Sequence, residues 1–77
     1  MQIRLNKESV FTVKSDSFAV APTTSGYQVA YSADGTNFTL DEDAVVPAGE
    51  NLVYLGAMKY AWYKLVGNTD DDVNVIL

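Results

Sequence analysis

The sequence predicts an all-β fold, a small antiparallel sandwich or partly open barrel of roughly seven to eight short strands, on three observations. Tyr27, Val29 and Tyr31 alternate with Gln28, Ala30 and Ser32, the period-two pattern that sends successive side chains to opposite faces of a pleated strand. Turn-forming clusters such as Ala33-Asp34-Gly35-Thr36-Asn37 punctuate the chain about every 8–12 residues. No window carries a helical period.

The elements follow in order. Met1, Ile3 and Leu5 alternate against Gln2 and Arg4, and after Asn6-Lys7-Glu8-Ser9 comes a second β-rich run, Val10-Phe11-Thr12-Val13. Ser15-Asp16-Ser17 links to Phe18-Ala19-Val20-Ala21, which stops at Pro22 because proline cannot donate to a ladder. Thr23-Thr24-Ser25-Gly26 turns into the Tyr27 strand, and Asp34-Gly35 is expected to supply the positive backbone angles of a tight reversal before Phe38-Thr39-Leu40. Asp41-Glu42-Asp43 reads as an acidic turn ahead of Ala44-Val45-Val46, and Pro47-Ala48-Gly49-Glu50 as a turn ahead of Asn51 to Leu55. Tyr60 to Val66 carries apolar residues on both faces, the mark of a central strand or of one whose outer face meets a neighbour. Asn68-Thr69-Asp70-Asp71-Asp72 turns once more, and Val73 to Leu77 closes the chain as a strand that a sheet should hold. Without a repeat or linker, residues 1–77 form one all-β domain.

Composition limits the function. A chain of 77 residues buries only about 60% of its unfolded surface and is marginal alone. It has no cysteine for disulfides and neither cysteine nor histidine for a zinc cluster, yet 48% of it is apolar. The expected help is self-association or docking on a larger assembly. Five basic against ten acidic residues oppose phosphate neutralisation, so no nucleic-acid role is expected. No apolar run reaches the roughly 20 residues of a membrane-spanning helix, and Met1 to Lys7 lacks the apolar core of a signal peptide, which predicts no membrane role and an unprocessed cytoplasmic product.

No catalytic residue, metal or cofactor is expected. Acid–base and nucleophilic chemistry recruits histidine, cysteine or a displaced carboxylate; the first two are absent, and the carboxylates sit in segments read as solvated turns. Asp41-Glu42-Asp43 and Asp70-Asp71-Asp72 offer oxygen ligands of the kind calcium takes, but neither has the spacing of a helix-flanked calcium loop. Acidic turns that hinder edge-to-edge aggregation explain them better.

The partner-binding candidates are aromatic. Tyr54, Tyr60, Trp62 and Tyr63 form the densest ring group, suited to a core, a subunit interface or a stacking platform for sugar. Strand periodicity puts Tyr60 and Trp62 on one face and Tyr63 with Leu65 on the other, so at least one set belongs inside. Val75, on the terminal strand, completes the expected contact residues.

The Tyr27 to Thr39 hairpin, the Val45-Val46-Pro47-Ala48-Gly49 segment and Tyr63 to Thr69 together resemble a strand–turn–strand pattern of small phage-associated β-sandwiches. Ser-x-Asp-Gly-x-x-aromatic hairpins also occur in discoidin-like carbohydrate-binding sandwiches. The resemblance covers about half the chain and is nearest to the auxiliary or decoration proteins on the heads of tailed bacteriophages, the crAss-like group among them. It implies a non-enzymatic virion protein that binds the major capsid protein or other virion proteins, self-associates and stabilises the head. The alternative it leaves is a carbohydrate- or surface-binding module of a phage tail or baseplate.

Overall fold

A computed structural model of the chain describes residues 2–4, 10–12, 17–55, 62–67 and 72–76. Among these residues run eight strands and no helix: β1 (Gln2–Arg4), β2 (Val10–Phe11), β3 (Ser17–Val20), β4 (Tyr27–Ser32), β5 (Thr39–Val46), β6 (Leu52–Leu55), β7 (Trp62–Gly67) and β8 (Asp72–Ile76). β1 pairs with β8, β2 with β7, β3 with β6 and β4 with β5, all antiparallel, so the chain is a nest of hairpins closing at the β4–β5 reversal. Pairing of β3 with β8 and of β4 with β7 rolls that nest into two four-stranded sheets, ordered β1-β8-β3-β6 and β2-β7-β4-β5. Among the described strands, only β4 and β5 are consecutive in the chain and neighbours in one sheet. Eight strands wound in this way are a double-sheet jelly roll, an open sandwich rather than a closed barrel.

The alternation read from the Tyr27 strand decides its inner face. Tyr27 and Val29 are buried and Tyr31 packs on the core. Between the sheets, Phe11 and Tyr63 from one layer meet Phe18 and Tyr54 from the other. Phe18 lies 5.2 Å from Phe11 edge-on, 5.1 Å from Tyr54 stacked and 5.3 Å from Tyr63. Pairs of this geometry contribute about 0.5–1.5 kcal/mol each beyond area burial. Val20, Val46, Leu65, Val73 and Val75 fill the remainder. The last strand is held centrally, between β1 and β3.

Two readings need correction. Asp41-Glu42-Asp43 is not a turn but the middle of β5, where the register with β4 slips: Gln28 faces Val45 while Ala30 faces Leu40, so residues 41–44 bulge opposite Val29. An edge strand tolerates this because Glu42 and Asp43 reach water while Ala44 turns into the core, and a charged bulge also blocks strand addition. In the hairpin, Gly35 alone takes positive φ, at 79°, and the reversal runs over residues 33–38, one residue beyond the expected link. Asp34 contributes differently from the expected positive angle. Its Oδ1 accepts from the Thr36 and Asn37 amides, both at 2.8 Å, and from Ser32 Oγ, while Ser32 Oγ accepts the Gly35 amide at 2.9 Å. The Pro47 turn is as expected, with Gly49 at φ 82° and the Glu50 amide donating to the Pro47 carbonyl at 3.3 Å.

Candidate interaction face

The five expected contact residues separate by strand phase. Tyr63 and Val75 are 0% exposed and Tyr54 is 8% exposed, so all three are core rather than surface, a correction with a plain cause: each points between the layers, where large apolar area is removed from water. Tyr54 keeps its hydroxyl satisfied by donating to Asp41 Oδ2 at 2.9 Å, which ties β6 to the bulged edge of β5. Burial first, and then that carboxylate, hold the Tyr54 phenol far above its usual range. Tyr60 lies outside the described residues. Trp62 is half-buried on the outer side of β7, its indole against Gly35, where an added methyl would come within 3.1 Å.

Trp62 thus marks a face that aromatic content alone does not disclose. In antiparallel register, residues directly opposite share a side, and Leu40, Ala30, Lys64 and Val10 form one row across β5, β4, β7 and β2. Val45, Gln28 and Val66 form the next row, and Ser32 with Trp62 the last. Val45 is 62% exposed, Leu40 48% and Val10 43%. Lys64, in the middle of the first row, holds its Nζ 4.4 Å over the Phe38 ring. A shallow groove of about 450 Å³ opens beside Gln28, Val45, Pro47 and Val66.

Comparison with protein-family models, with curated proteins and with solved structures finds no match. The surface must therefore be interpreted from its own chemistry. Between Asp34 and Glu50 lie five carboxylates and no lysine or arginine, while the rest of the chain carries five of each sign, so this run accounts for the whole net charge of −5. The run folds as the hairpin loop, the edge strand β5 and the turn after it, and Glu42, Asp43 and Glu50 are exposed. The loop carboxylate of Asp34 is held well below the usual range, first by the Asn37 and Thr36 amides and then by Ser32.

The opposite sheet presents a smaller row, Val53–Ala19–Ile76, with Val53 63% and Ile76 57% exposed. Among the described residues no group of three or more His, Cys, Asp or Glu is placed to hold a metal ion. One buried polar atom is left over. The Tyr27 hydroxyl has no hydrogen-bond partner among the described residues, and burial pushes its phenol up to about 12. Sequence reasoning missed Val10, Leu40, Val45 and Val66, although a signal existed. In the pairs Val10-Phe11, Val45-Val46 and Leu65-Val66, period two must turn one member outward.

Proposed function

We propose that this chain is a non-enzymatic virion protein, made in the host cytoplasm, that binds the head of a tailed bacteriophage as an auxiliary or decoration protein. The observation that carries the reading is the exposed apolar stretch of Leu40 and Val45 on the edge strand β5. The jelly-roll topology supports it by analogy, since double-sheet jelly rolls recur in viral capsid and lectin domains. Such a protein needs no chemistry: binding the assembled shell and not its parts stabilises the shell by mass action. Its partners on this reading are the major capsid protein or other virion proteins, together with sister copies. The test is sedimentation of purified protein with empty shells of the virus whose genome carries its gene. Saturable co-sedimentation with a raised shell melting temperature is the expected result, and a chain that stays in the supernatant at every concentration refutes it.

Half-buried Trp62 on the outer face favours the second reading, a carbohydrate- or surface-binding tail or baseplate module. A glycan array separates the two, because sugar binding abolished by Trp62→Ala belongs only to the second.

A further inference from the structure

We propose that the outer face of the β2-β7-β4-β5 sheet docks through its β5 side on a protein surface that offers apolar side chains to Leu40 and Val45 and lysine or arginine to the acidic bulge between them. The inference rests on the binding reading above and adds the partner's chemistry. Leu40 and Val45 flank the acidic bulge on β5 itself, so the apolar residues and the charged bulge belong to one continuous surface. Removing Leu40 and Val45 from water supplies the non-directional part of the attraction. The five carboxylates of residues 34–50 supply the steering and the register.

A second copy is a poor occupant. It would bring another run of five carboxylates toward the first, and like charges juxtaposed across an interface are costly. Strand addition is also disfavoured, because the slipped register at residues 41–44 breaks the donor and acceptor row that an incoming strand needs. What remains is face-on docking to a surface with basic side chains opposite the bulge. The molecule extends 29 × 23 × 21 Å, so this face is at the lower end of the roughly 800 Å² per partner of a standard interface. Contact by one copy is therefore weak and sensitive to salt.

The test uses the whole chain, labelled with ¹⁵N and titrated with a synthetic peptide of alternating lysine and leucine or with its glutamate–leucine counterpart. Amide shifts are expected at Ala30, Leu40, Val45 and Val66 with the lysine peptide only, fading at high salt. Leu40→Ser with Val45→Ser keeps the charge, and Glu42→Gln with Asp43→Gln keeps the apolar row; each pair should weaken binding by about tenfold. Should the serine pair fail to fold, Val10→Ser in the same row gives the same readout. Equal response to the glutamate peptide, shifts confined to Val53 and Ile76, or a serine pair that binds like the parent each overturn the proposal. So does a concentration-dependent dimer that Leu40→Ser dissolves. Shell sedimentation reads the partner's identity separately: a chain that binds the lysine peptide but not shells keeps this face and loses the capsid.

Discussion

Replacing Tyr27 by phenylalanine should make the protein more stable, an unusual outcome for a core substitution. The side chain is 4% exposed, and its hydroxyl is buried with no hydrogen-bond partner among the described residues. A buried polar group without a partner costs about 1–3 kcal/mol, and phenylalanine removes it while leaving the ring in place. The expected gain at neutral pH is about 1–2 kcal/mol, which for a domain of this size raises Tm by about 4–8 °C per kcal/mol. Alkali widens the gap. With the folded phenol raised from 10.0 to about 12, the unfolded chain ionises first, so stability holds below about 10 and falls as pH rises toward 12. By about pH 11 that loss is about 1.4 kcal/mol from this residue, and Tyr27→Phe escapes it. Urea denaturation at neutral pH and again at about pH 11, with an unchanged m-value, measures both effects. A variant less stable than the parent by about 1 kcal/mol or more at neutral pH would mean that the hydroxyl has a partner, and the reasoning would fail.

Three other perturbations probe separate parts of the fold. Phe18→Ala removes the ring that touches Phe11, Tyr54 and Tyr63, and should cost about 3–5 kcal/mol, enough to unfold most of a marginal domain by circular dichroism at room temperature. Gly35→Ala must hold φ near 79° and press a methyl to 3.1 Å from the Trp62 indole; a loss of about 1–2 kcal/mol with altered tryptophan fluorescence is expected, and an unchanged melt contradicts it. Because the folded Asp34 carboxyl titrates below its ordinary 3.8, its stabilising effect is present above that pH and lost as acid carries the solution through the lowered value. The deficit of Asp34→Asn in urea melts should accordingly shrink as pH drops below 3.8.

How much of this was legible beforehand depends on how each residue is satisfied. The Tyr27–Ser32 strand was readable because a strand with one face inward must alternate, and its tyrosines and valine do. The final strand was readable because an apolar end at Val75 and Ile76 has to be held. β5 was not, since propensity treats Asp41-Glu42-Asp43 as a turn, and only tertiary placement at a sheet edge lets charges ride a bulge there. The site was misread for a related reason: rings carry the largest apolar area, so Tyr54 and Tyr63 were drawn inside. The residues left in water are ordinary aliphatics such as Leu40 and Val45.

The division between buried rings and exposed aliphatics bears on why this chain would lean on a neighbour at all. Phe11, Phe18, Tyr27, Tyr54 and Tyr63 are enclosed within one copy, so folding draws on them and no partner is needed to cover them. Val10, Leu40, Val45, Val53 and Ile76 remain at least 43% exposed, and they lie on strands whose opposite faces are already committed to the core. Exposed side chains of this kind contribute little to folding. Their apolar area therefore stays available to a second, intermolecular burial that cannot compromise the first. A jelly roll suits that arrangement, because its layered core fixes the outer rows in register while the charged bulge on β5 blocks the strand-by-strand association that such rows invite.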